Sequence, residues 1–166
     1  MFVFCHPQRT IALAKIKKEH RVLELGCGAG RIILPLVRQF PKISVVGVDL
    51  QAKMLKKCRN RILREAPGSR IKLLKSDIRK LKPNSIGRFD RILVFTVLGE
   101  IPQPEQVVDK IKSMLEPGGL VSITEVLPDP CYVSQKKLLR LFNGAGFLLR
   151  DSFQNMVSYT CNFELR

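Results

Sequence analysis

Two periods of hydrophobicity trade places along this chain. RVLEL (21–25) is a short apolar run and reads as a buried strand. In AGRIILPLVRQF (29–40), Ile32, Ile33, Leu36, Val37 and Phe40 recur at helical spacing, and Pro35 marks a kink. The β-branched run ISVVGVD (43–49) is a second strand that ends in an acid. AKMLKKCRNRILRE (52–65) is a helix with Leu55, Cys58 and Ile62 on its buried face, stopped by Pro67-Gly68. Strands are predicted at 71–75, 88–96 and 120–125, and a helix at 104–116, stopped by Pro117-Gly118-Gly119. A last helix over 134–146 opens at Ser134 as its N-cap and closes in glycines. Two late strands, 147–153 and 157–165, are separated by a few residues and form an antiparallel hairpin. Residues 1–20, with Ile11, Ala14 and Ile16 in a basic context, make a short helix or lid segment packed on the sheet.

Strands alternating with helices predict a parallel sheet covered on both faces, and ligands in such sheets sit at the carboxyl ends of the strands. The length of 166 residues gives one domain, 1–166. Nothing resembles a repeat, and no apolar run approaches the ~18 residues of a membrane span. The start, MFVFCHPQRT, lacks the basic region of a signal peptide. Five cysteines (Cys5, Cys27, Cys58, Cys131 and Cys161) form no CxxC pair, which predicts reduced thiols in the cytoplasm and no metal site.

The stretch VLELGCGAGR (22–31) carries the chemistry. Gly26, Gly28 and Gly30 fall in the turn after the first strand, where a nucleotide-like ligand approaches the backbone closely. A dinucleotide fingerprint would need its third glycine at position 31, which is Arg31. That disfavours an NAD-binding protein. The spacing is GxGxG instead, and Glu24 precedes it, so a cationic group is welcome there and a pyrophosphate is not. Asp49, ending the second strand, is placed to accept both hydroxyls of a ribose, besides capping the helix that follows. Asp77, after the third strand in KSDIRKL, is placed to accept from an adenine amino group, with Ile78 covering the ring.

In combination, these motifs resemble the class I S-adenosylmethionine-dependent methyltransferases. VLELGCGAG looks like the first motif of that family, with Glu24 facing the methionine amino group. VVGVDLQ looks like the ribose motif, KSDIRKL the adenine motif, FDRILVFTVLGEIP the fourth-strand motif, and LEPGGLVSITE the loop and fifth strand. The resemblance covers about residues 8–166, nearly the whole chain. It implies a Rossmann-like, doubly wound seven-stranded α/β sheet of order 3-2-1-4-5-7-6, with one antiparallel strand and helices on both faces. It also implies S-adenosyl-L-methionine as cofactor. Beside Glu24, Gly26, Gly28, Gly30, Asp49, Asp77 and Ile78, it brings Cys27, Leu50 and Met54 to that ligand, and Phe95, Thr96 and Val97 line its pocket. In cofactor core the chain is similar to the small methyltransferases of ubiquinone and menaquinone biosynthesis.

The acceptor is less legible. Glu100, after the fourth strand, is the candidate that faces the methyl group. His6, the only histidine near the N-terminal segment, and Tyr159 in the last strand are further catalytic candidates, with Glu125 at the end of the fifth strand; His20 lies at the opposite end of the sheet. No [DN]PP[YFW] follows the fourth strand, which disfavours methylation of an adenine or glutamine nitrogen, and no Pro-Cys sits at a nucleophile position, which disfavours the cytosine C5 mechanism. Family members carry a longer segment before the first strand, so the open mouth here suits a bulky or lipid-like acceptor, completion by a second copy in a homodimer, or a chain truncated at its N-terminus.

Charge adds one more expectation. Lys and Arg number 29 against 14 acids, a net +15. Lys53, Lys56, Lys57, Arg61 and Arg64 head a cluster that continues through the third strand. It is a solvated face or a docking edge for RNA or an anionic membrane surface, and no aromatics are interleaved for base stacking. A small-molecule or lipid-like methyl acceptor is the leading expectation. An RNA methyltransferase and a non-catalytic cofactor-binding subunit are the rivals.

Overall fold

In the computed structural model, which describes residues 6–127 and 129–166, seven strands form one sheet in the order β3-β2-β1-β4-β5-β7-β6. β1 (Arg21–Leu25), β2 (Ser44–Asp49), β3 (Arg70–Lys75), β4 (Phe89–Phe95) and β5 (Leu115–Val126) run parallel. β7 (Ser158–Leu165) is inserted antiparallel between β5 and β6 (Phe147–Gln154). This is the order the resemblance implies.

Successive side chains on a strand point to opposite faces, and here both faces are apolar. Leu23, Val46 and Ile92 pack with Ile111, Leu138 and Phe142 of α5 (Pro104–Met114) and α6 (Gln135–Gly144). Their neighbours Val22, Val45 and Leu93 turn the other way, toward Ile11, Ile33, Leu36 and Leu55 of α1 (Pro7–Leu13), α2 (Ile33–Gln39) and α3 (Ala52–Glu65). Burial on two sides is why the central strands read as unbroken apolar runs.

Three elements depart from the periodic pattern. The helix predicted from Ala29 begins at Ile33, because Gly28 and Gly30 hold positive φ and the chain stays in turns until it clears them. Pro35 therefore lies in the first turn, where no amide hydrogen is needed, and the helix starts around it instead of bending at it. The helix predicted to Glu116 stops at Met114, since Leu115 is already paired with Phe89 of β4; a bulge then carries the strand past Gly118. A single turn, α4 (Pro83–Ile86), buries Ile86 in a stretch with too few residues to show a period.

Where it is described, the N-terminal segment is a helix packed on one face of the sheet. α1 packs against α2, with Ile11 and Ala14 buried. Arg91 Nε donates to Ala14 O at 3.1 Å and Asn162 Nδ2 to Leu13 O at 2.8 Å, which anchors the helix end to β4 and β7. Residues 1–5 of the expected segment, Cys5 among them, lie outside the described residues.

Ser134 caps α6 as the sequence predicts, its Oγ accepting from Lys137 N at 3.4 Å. Ser134→Ala is expected to cost about 1 kcal/mol, the usual value of an N-cap, seen as a lower urea midpoint with an unchanged slope.

Candidate functional site

β1 delivers the chain to the carboxyl edge of the sheet, where the glycine loop crosses the end of β2. Gly26 N and Cys27 N both donate to Val48 O, at 2.8 and 2.9 Å. Gly26 has φ +74°, and a Cβ there would lie 2.3 Å from Val97 Cγ2, so only glycine lets the loop pass the turn after β4. Asp49 then ties the loop down: its Oδ2 accepts from Gly28 N and its Oδ1 from Gln51 N, each at 2.8 Å. One carboxylate thus fixes both the glycine loop and the start of α3. From α3, Arg61 Nη1 donates to Ala29 O at 3.0 Å and holds the loop from the other side.

These elements wall a cavity of about 420 Å³. Glu24, Gly26, Cys27 and Gly28 bound it on the loop side; Asp49, Leu50 and Met54 bound it along α3; Asp77 and Ile78 close one end. Phe95, Thr96 and Val97 form the β4 wall, and Glu100 stands at the rim. All of these were singled out by sequence.

Other expected residues fall elsewhere. Gly30 faces away from the cavity: a Cβ there would meet Cys58 Sγ at 2.7 Å, so this glycine serves the packing of loop on helix. His6 is the N-cap of α1 and lines a separate surface depression with Pro35, Arg38 and Gln39. It went astray because the N-terminal helix covers a sheet face instead of the carboxyl edge. Tyr159 is buried between β5 and β6, and its hydroxyl donates to Val133 O at 2.5 Å, so its proton is committed to the backbone. Burial, with Glu125 nearby, raises its pKa well above the phenol range. Neither residue reaches the cavity.

Eight lining residues are not among those the sequence points to, and two of them, Arg31 and Arg79, carry charge. Arg31 was read only as the residue that breaks a dinucleotide fingerprint; it lines the cavity, its Cζ 5.3 Å from the Phe95 ring centroid. Arg79, two residues past Asp77, also lines it. Asp77 Oδ2 accepts from Arg79 Nη2 at 2.6 Å and Oδ1 from Arg79 N at 2.9 Å. These contacts bring the Asp77 carboxyl down to about 2. The carboxylate expected to stand open is therefore already held by its neighbour, leaving only its remaining lone pairs for a ligand.

Glu24 is the electrostatic centre of the site. It is buried on the central strand, accepts from the Ile33 backbone amide, and its Oε2 has no partner. Burial first, then the nearby Cys58 thiol, pushes its pKa well above the carboxylate range. An orphaned buried carboxylate is costly and calls for a cationic donor. Beneath the loop, Cys27 Sγ donates to Gly28 O at 4.0 Å, and the neighbouring Cys58 thiol, with burial, drives the Cys27 pKa up. Cys27 is thus a packed wall residue, not a nucleophile. Glu100 is raised by burial first, with Asp129 and Asp49 adding to it.

A sheet of this order, with a glycine loop and acids late in β1 and at the end of β2 around a cavity at its carboxyl edge, defines a Rossmann-like nucleoside-binding class. Within that class, the chain belongs to the methyltransferase domain family, whose model matches residues 22–119. It is 33% identical over 113 residues to the carboxy-S-adenosyl-L-methionine synthase of Chromohalobacter salexigens, a match covering 65% of this chain and 41% of that protein. It is 32% identical over 133 residues to the trans-aconitate 2-methyltransferase of Variovorax paradoxus, covering 80% of this chain and 48% of that protein. The chain spans about half the length of the relatives it matches. A glycopeptide N-methyltransferase solved with S-adenosyl-L-methionine superposes with a TM-score of 0.81 over 99% of this chain and 96% of its own, at 15% identity. At that identity the likeness is one of fold. Among the described residues, no helix is long and apolar enough to cross a membrane.

Proposed function

We propose that this chain is the catalytic domain of an S-adenosylmethionine-dependent methyltransferase acting on a small-molecule or lipid-like acceptor. The observation that carries the reading is Glu24, a buried carboxylate with one oxygen unpartnered beside an acid-bounded cavity. Such a site suits the amino group of a sulfonium amino acid. Arg31 supplies a counter-charge for that amino acid's carboxylate. Asp49 keeps lone pairs for the ribose hydroxyls, and Leu50 and Ile78 give apolar cover to the adenine. Bound there, the cofactor supplies a methyl group on a positively charged sulfur. Phe95, Thr96 and Val97 exclude water from the β4 wall. Glu100 at the rim, with its raised pKa, is suited to take a proton from an acceptor oxygen or nitrogen. Relatives named for S-adenosylmethionine chemistry and for methyl transfer to trans-aconitate support the same cofactor. We place the activity in the cytoplasm, where the free thiols Cys27, Cys58, Cys131 and Cys161 stay reduced.

The test is calorimetric titration with S-adenosylhomocysteine in buffers of different ionisation enthalpy, with NAD as control. Burial raises the Glu24 pKa and a bound ammonium lowers it again, so binding releases protons and affinity rises with pH across that range. The expected result is binding of S-adenosylhomocysteine with proton release, no binding of NAD, and no Glu24-linked release in Glu24→Gln. Label from methyl-tritiated cofactor is then expected in lipid or small-metabolite extracts and not in RNA. Folded protein that ignores S-adenosylhomocysteine would overturn the reading.

A further inference from the structure

α3 and β3 form one outer edge of the sheet, and that edge holds most of the excess charge. Residues 50–82 carry twelve of the chain's 29 Lys and Arg but only two of its 14 acids, so two thirds of the net +15 lies there. Both acids are neutralised internally. Glu65 pairs with Arg38, Arg61 and Arg64, and Asp77 pairs with Arg79. Of the five guanidiniums there that could grip a phosphodiester in two-pronged fashion, Arg61, Arg64 and Arg79 are spent in these pairs, while Arg59 and Arg70 stay exposed. Lys53, Lys56, Lys57, Lys72, Lys75 and Lys80 remain exposed, and none makes an ion pair among the described residues.

Two large apolar side chains stand among these lysines. Leu50 is 65% exposed and Leu63 is 67% exposed. No aromatic residue occurs between 50 and 82, so the edge offers no platform for stacked bases. Compact ammonium charges interspersed with bare leucines suit a surface of anionic headgroups over hydrocarbon. The edge also reaches the cavity mouth, because Leu50, Gln51, Met54 and Arg79 belong to both.

We propose that the α3–β3 edge docks on an anionic phospholipid bilayer, with the cavity mouth turned toward the membrane surface. The docking itself does not depend on the methyl-transfer reading; only the delivery of a lipid-like acceptor into the cavity rests on it.

The test is flotation of the full chain with vesicles of phosphatidylcholine containing 30% phosphatidylglycerol, against vesicles of phosphatidylcholine alone, with and without 0.5 M NaCl. A 20-nucleotide RNA serves as competitor. The chain is expected to float with the anionic vesicles at least tenfold more than with neutral ones, and to be released by salt. The variant K53Q/K56Q/K57Q is expected to lose that binding at least tenfold, and Leu63→Ser to weaken it several-fold. None of these positions lines the cavity, so S-adenosylhomocysteine affinity in the variants reports intact folding separately. Equal partition into both vesicle types, or anionic binding unmoved by the triple variant, would overturn the proposal. So would RNA binding that displaces the vesicles and is lost in the same variant, which would assign the edge to nucleic acid.

Discussion

Asp49→Ala is expected to weaken S-adenosylhomocysteine binding by about 30–100-fold, or about 2–3 kcal/mol. Two losses combine. The carboxylate no longer accepts ribose hydroxyls, each a charge-assisted hydrogen bond. The amides of Gly28 and Gln51, which it holds at 2.8 Å, lose their acceptor, so the glycine loop and the start of α3 are released together. Asp49→Asn separates the two. Its remaining oxygen keeps one of the amides, while its new N–H₂ faces the other as donor against donor, and about a tenfold loss is expected. Calorimetry reads both affinities, and near-ultraviolet circular dichroism checks that the fold persists. An alanine variant binding within threefold of the wild type would mean that the ribose does not rest on Asp49.

Why Asp49 was visible in the sequence and Arg79 was not has a physical basis. Asp49 ends a β-branched strand a fixed distance past a glycine turn, and that spacing is set by local geometry. The same holds for Glu24 in its apolar strand and for the glycines, which mark places where no Cβ fits. Strand periods were plain because the sheet is buried on both faces. The strand order came from the resemblance to a family, since periodicity says which segments are strands and not which are neighbours. What stayed hidden depends on contacts across the fold. Arg79 folding back on Asp77, Tyr159 spending its proton on Val133, and α1 lying against α2 each need a partner that the local pattern does not name. The turn after β4 shows the same limit. Gly99 looks like an ordinary loop glycine, yet a Cβ there would sit 1.7 Å from Cys131 O, because the segment after β5 lies directly on it.

That segment also covers Glu125, which is expected to make the fold less stable at pH 8 than at pH 5. Glu125 stands near the end of β5, opposite Tyr159, and is 1% exposed. The Val133 backbone amide donates to it, but Oε1 has no partner. Burial is the main cause that pushes its pKa to about 7 from 4.5, and the negative charges of Asp129 and Glu100 add to it. Below pH 4.5 the group is protonated in both folded and unfolded chains and contributes nothing. Between 4.5 and 7 the unfolded chain gives up the proton first, so it binds fewer protons than the native state and stability falls as pH rises. Above 7 the loss is complete, at about 3 kcal/mol. Glu125→Gln keeps the shape and removes the titration. Urea unfolding of both proteins at pH 5, 6, 7 and 8 is expected to show the variant's advantage growing from under about 1 kcal/mol at pH 5 to about 3 kcal/mol at pH 8. Glu24 is also raised by burial, but it is present in both proteins, so the difference between the curves belongs to Glu125. Curves that stay parallel across this range would mean that Glu125 titrates like an ordinary carboxylate and that water reaches it beneath the backbone carrying Val133.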